Sequence, residues 1–106
     1  MVGPVRVDQV RDGAQASRSS ATTVGTTSVT VLQANSFRKQ AILVNDSDTA
    51  IYVSKGSIAV VNAGIRLNAN GGSFVIQPDG TGRIYTGPVS AISTAANKNL
   101  AWTEDF

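Results

Sequence analysis

The amino-acid sequence predicts an all-β protein: a small antiparallel β-sandwich, jelly-roll-like, with an extended N-terminal arm. Three observations carry this. Val, Ile and Thr supply thirty of the 106 residues, whereas Leu, Glu, Lys and Met together supply nine. β-Branched chains fit a pleated surface and lose rotamer freedom in a helix. From residue 28 onward, short apolar runs alternate with turn residues at roughly eight- to twelve-residue intervals, the spacing of a sandwich or small barrel. No helical pattern of ten or more residues lies between them, which argues against an α/β fold.

Residues 1–27 read as the arm and 28–106 as the sandwich. Val2, Val5, Val7 and Val10 are the only sizeable apolar residues in the chain before Val24, apart from Met1, and nine of the fifteen residues from Ala16 to Thr30 are Ser or Thr. Such a segment cannot bury a core alone. It reads either as a flexible tail or as an arm lying on a neighbouring subunit, because Val5-Arg6-Val7 alternates like a short strand able to join another sheet edge.

The strands are then expected in order. Ser28 to Leu32 alternates with period two. Arg38 to Val44 is apolar on both faces at Ala41-Ile42-Leu43-Val44, as in a central strand covered on both sides. Asn45-Asp46-Ser47-Asp48 turns the chain, and Thr49 to Ser54 returns as the second half of a hairpin. Ser57 to Val61 is a shorter strand or a single helical turn, and Ile65 to Leu67 a brief strand. Ser73 to Gln77 follows the Asn68–Gly72 turn. Pro78-Asp79-Gly80 turns again, Gly82 to Thr86 is a further short strand, and Val89 to Ser93 and Leu100 to Thr103 complete about eight.

Composition removes much chemistry. The chain has no His and no Cys, so there are no zinc sites of the usual kind, no disulfides, no thiol nucleophile and no Ser-His-Asp triad. Nine basic and seven acidic residues give a net charge of +2, too small an excess to mark a nucleic-acid binder. No apolar run reaches the eighteen or so residues of a membrane span, and the N-terminus lacks the layout of a signal peptide. The acids at Asp46, Asp48 and Asp79 sit in turns they suffice to explain, rather than forming a glycosidase pair or a calcium loop. Neither Asn68-Ala69-Asn70-Gly71-Gly72 nor Gly80-Thr81-Gly82 opens a helix, and no Lys-Ser/Thr follows as in a phosphate loop. Arg38, Lys39, Arg66 and Arg83 read as a solvated face. No enzymatic activity, catalytic residue, metal or other cofactor is expected.

The run Arg38-Lys39-Gln40-Ala41-Ile42-Leu43-Val44-Asn45-Asp46-Ser47-Asp48, then Ile51-Tyr52-Val53 and Gly56, then Tyr85-Thr86-Gly87-Pro88-Val89-Ser90-Ala91-Ile92 and the closing Thr103-Glu104, resembles small all-β virion proteins of tailed phages. The resemblance covers Phe37 to Glu104, about two thirds of the chain. It implies a non-enzymatic structural protein of a bacteriophage virion, most concretely a capsid decoration (cement) protein that bridges major capsid protein subunits. A neck or tail accessory protein, or a receptor- or carbohydrate-binding module of a tail tip, remains open beside it. The implied partners are the major capsid protein, other virion proteins and copies of itself, as a homotrimer. No membrane and no sequence-specific nucleic acid are among them. The implied location is the virion, after synthesis in the host cytoplasm. The residues expected to make partner contacts are Val5, Arg6, Val7 and Arg11 in the arm, and Trp102 and Phe106 at the other end.

Overall fold

The computed structural model describes residues 15–106. Eight strands lie within them: β1 (Ser17–Val24), β2 (Val29–Leu32), β3 (Gln40–Asn45), β4 (Ile51–Lys55), β5 (Ile65–Leu67), β6 (Ser73–Ile76), β7 (Val89–Ser93) and β8 (Lys98–Asp105). They form two four-stranded sheets in the orders β1-β8-β3-β6 and β2-β7-β4-β5, and every pairing is antiparallel. The first strand pairs with the eighth, the second with the seventh, the third with the sixth and the fourth with the fifth. The chain is thus one long hairpin whose successive rungs fall in alternate sheets.

A single core joins the two sheets. Val24, Ala41, Leu43, Ile76 and Leu100 come from one, and Leu32, Ile51, Val53, Leu67, Val89 and Ala91 from the other. Period-two alternation produces this: in β3, Ala41 and Leu43 are buried while Ile42 between them is 36% exposed. The other sheet is covered on its outer side as well. Residues 56–64 fold back over it, placing Ala59 and Val61 against Tyr52 and Ile92, so all five residues of β7 are buried. β3 is therefore central in its sheet but covered on one face, whereas β7 and the Ile51–Val53 part of β4 are covered on both.

Strand assignment and pairing depart from the sequence reading at four places. Residues 17–24, read as part of the arm, form β1 and pair along their whole length with β8. Polar composition hid this, because an edge strand with one wet face needs few apolar side chains. The Arg38–Ser54 hairpin does not form. Both edges of β3 are taken by β6 and β8, and the turn carries the chain into the opposite sheet. Asn45 fixes the crossing: it is fully buried, and its Nδ2 donates to the carbonyls of Thr49 at 2.8 Å and Leu67 at 2.9 Å. Ser57 to Val61 is the covering loop rather than a strand. Gly82 to Thr86 is also irregular, because its carbonyls serve other donors: Thr86 accepts from the Asn35 N–H at 2.8 Å and Tyr85 accepts from Arg38.

Candidate functional site

Arg38 stands just before β3, where the sequence placed a solvated charge. It is 1% exposed. Its Nε donates to Glu104 Oε2 at 2.7 Å, Nη1 to the carbonyls of Tyr85 at 3.1 Å and Gly87 at 3.0 Å, and Nη2 to that of Gln33 at 2.7 Å. One guanidinium thus ties three segments together: the β2–β3 loop, the β6–β7 loop and β8. Its planar fork of donors suits this task as an ammonium would not. Nothing local marks this role, since an arginine before an apolar strand is more often exposed.

Glu104 turns its other carboxylate oxygen toward Arg18 of β1, 3.5 Å away. The Arg18 guanidinium lies 4.6 Å above the ring of Phe106, within cation–π range. The Phe106 backbone exchanges hydrogen bonds with Ala16 at 2.7 and 2.8 Å. Trp102, two residues before Glu104 on the inward side of β8, packs against the shared core, and its indole N–H donates to Thr22 Oγ1 at 3.1 Å.

These groups border a cavity of about 470 Å³ that opens between β1 and β2, one edge strand from each sheet. Arg18, Val31, Asn35, Phe37, Trp102 and Phe106 line it. The two C-terminal residues singled out from the sequence, Trp102 and Phe106, therefore share one site. Phe37 joins them, 72% exposed on a turn set by its own N–H bonding to Asn35 Oδ1 at 3.0 Å. Val5, Arg6, Val7 and Arg11 lie outside the described residues.

A second surface lies on the outer side of the β1-β8-β3-β6 sheet. Register places Val75, Ile42, Thr103 and Ser19 in one row across it, and Ser73, Val44, Ala101 and Ala21 in the next. Neither row carries a charge, and Ile42 and Val75 are 36% and 39% exposed. A shallow depression of about 280 Å³ runs over Ile42, Val44, Ala101 and Thr103. Residues 56–64 cover the comparable positions Tyr52 and Ile92 on the other sheet; no described segment covers these.

Among the described residues no group of three or more carboxylates is close enough to hold a metal ion, and no helix is long and apolar enough to cross a membrane. Two exposed turn carboxylates are held below their ordinary range, Asp48 chiefly by the hydrogen bond from Lys98 Nζ at 2.7 Å and Asp79 chiefly by that from the Thr81 hydroxyl at 2.6 Å. Both bonds brace turns. The groove presents aromatic rings, an amide and an arginine, and the sheet face presents two rows without charges. A scan against protein-family models and searches of curated proteins and of solved structures gave no match.

Proposed function

We propose that the protein is a non-enzymatic structural component of a tailed-phage virion, and most concretely a decoration protein that cements major capsid protein subunits. The observation that carries this is a pair of adjacent charge-free rows on the outer face of the β1-β8-β3-β6 sheet, bordered by Asp105, with Ile42 and Val75 left more than one third exposed. Rows without charges avoid the large desolvation cost of burying an ion when a partner covers them, and Ser19 and Thr103 already satisfy each other at 3.0 Å, so the patch is suited to a permanent assembly. The strand order supports the jelly-roll reading, an arrangement of two Greek keys that recurs in viral capsid and lectin domains. β1 begins at the groove end of the sheet, and a contact of the preceding arm with a neighbour or with the shell belongs to the same proposal. Bridging adds stability by mass action, because each copy binds the assembled shell and not its unfolded subunits.

The deciding experiment measures copy number per purified virion against the major capsid protein by quantitative mass spectrometry. A simple ratio to the shell subunit supports cement. A small ring number moves the protein to the neck or tail. Absence from the virion overturns the structural reading.

One observation favours a second reading, a carbohydrate-binding module. Three of the six aromatic residues, Phe37, Trp102 and Phe106, border one groove together with Asn35 and Arg18, and aromatic faces flanked by amides suit a sugar ring. Titration of the protein with a panel of bacterial surface glycans, read by Trp102 fluorescence, tests it. A saturable change lost in Phe37→Ala supports it, and no change discards it.

A further inference from the structure

The four edge strands of the two sheets are not equally protected. β5 has three residues and β6 four, with Pro78 two residues beyond. β2 has four and is interrupted by a register shift between Thr30 and Leu32. Short length, irregularity and proline are the usual means by which a sheet edge is kept from pairing with another chain. β1 has none of them. It is eight residues long, regular throughout, free of proline, and charged only at Arg18.

Its geometry is also held ready. Ala16 and Phe106 exchange both backbone hydrogen bonds, so the residues that bond to β8 are those in step with Ala16: Arg18, Ser20, Thr22 and Val24. Ser17, Ser19, Ala21 and Thr23 therefore aim their N–H and C=O groups away from the sheet. Side chains pin the strand from both faces, through Ser19 with Thr103 at 3.0 Å on one and Trp102 with Thr22 at 3.1 Å on the other.

We propose that β1 is a self-association edge, and that two copies of this chain pair through it antiparallel about a two-fold axis at Ser20. A strand that meets itself about a two-fold axis presents the same donors and acceptors on both sides, so no separate partner sequence is required. With the axis at Ser20, Ser17 faces Thr23 of the second copy and Ser19 faces its Ala21, and the same pairs repeat by symmetry. All four outward residues are then satisfied, giving eight hydrogen bonds in four pairs, within the usual count for a specific interface, about 10 ± 5. A shift of the axis to Ser19 or Ala21 leaves one of them without a partner residue in β1. The register also sets Arg18 against Thr22 rather than against the other Arg18, so no like charges meet. The outer faces bearing Ile42 and Val75 become one continuous surface of eight strands. The pairing stands whether or not the protein belongs to a virion, and it gives an even-numbered assembly where the phage resemblance implies a trimer.

The chain has no cysteine, which permits a direct test. Facing residues at a non-hydrogen-bonded antiparallel position have Cα atoms about 4.5 Å apart, within disulfide reach. Ser20→Cys is expected to give a covalent dimer on air oxidation, whereas Ser17→Cys, which does not face itself, is expected to remain a thiol. Sedimentation of the unmodified protein is expected to give twice its 11.0 kDa mass. Ala21→Pro removes only an outward N–H, so it should keep the circular dichroism spectrum while weakening the dimer roughly tenfold to a hundredfold. A monomer up to about 1 mM, a trimer, a dimer indifferent to Ala21→Pro, or equal cross-linking of the two cysteine variants would each overturn the proposal.

Discussion

Arg38 and Glu104 meet inside the protein, 66 residues apart in sequence, with 2.7 Å between Nε and Oε2 and side-chain exposures of 0% and 5%. Arg38→Met leaves a buried carboxylate and three backbone carbonyls without their donor. Removing one partner of a buried pair costs about 3–5 kcal/mol, so chemical denaturation should show a loss of that order. Glu104→Gln is expected to cost less, because an amide oxygen still accepts from Nε. Equal losses would mean that the carbonyl contacts contribute little.

Ile42 and Leu43 are neighbours on β3 that face opposite ways, and this makes a stringent pair. Leu43→Ala should cost about 2–5 kcal/mol through the cavity it leaves. Ile42→Ala, on the exposed face, should cost well under half of that in the dissociated protein. Ile42→Asp should leave folding largely intact; under the proposed decoration role it also abolishes binding to capsids, measured by co-sedimentation.

Gly72 and Gly80 make a second contrast. A Cβ at Gly72 would run into the backbone N and O of Asn68, and overpacking against backbone costs about 1–3 kcal/mol. At Gly80 a Cβ meets nothing within 4 Å, so Gly80→Ala should be neutral or stabilising by about 0.4–1 kcal/mol through the unfolded chain. Thermal melts of the two variants should move in different directions, or at least by clearly different amounts.

Acid should act through the turns. Asp48 is held below its ordinary value of 3.8, first by the hydrogen bond from Lys98 and then by that from Thr49. Asp79 is lowered first by the Thr81 hydroxyl and then by backbone N–H groups of Thr81 and Arg83. A carboxylate whose pKa is lower in the folded state adds stability above its unfolded pKa and loses it as pH falls through the folded value. Tm should therefore drop as pH is taken below about 3.8, and the drop should shrink in Asp48→Asn and Asp79→Asn. An identical pH profile in both variants would refute this assignment.

The class of fold was legible because β-branched runs and turn residues are local signals, and Val89–Ser93 and Ser73–Ile76 stand close to where those signals set them. Pairing was less legible. Asn45-Asp46-Ser47-Asp48 has the composition of a hairpin turn, and nothing local distinguishes it from a crossing between sheets; the difference lies in Asn45 reaching the Leu67 carbonyl. β1 was missed because Ser and Thr serve an edge strand as readily as a loop. Trp102 and Phe106 could be singled out as aromatics near a chain end, but Phe37 and Arg38 acquire their roles only when β8 and the β6–β7 loop arrive beside them.

The rolled hairpin also sets the order in which the molecule can be made. β8 lies between β1 and β3, so the first of the described strands has no ladder to join until the last of them has left the ribosome. Ser17 finds Asp105 across 88 positions of chain, and contacts of such separation make folding slow, of the order of milliseconds to seconds for sheet proteins. Until β7 and β8 are present, Leu43, Ile51 and Val53 lack the strands they pair beside, and apolar surface left open in this way is prone to aggregate.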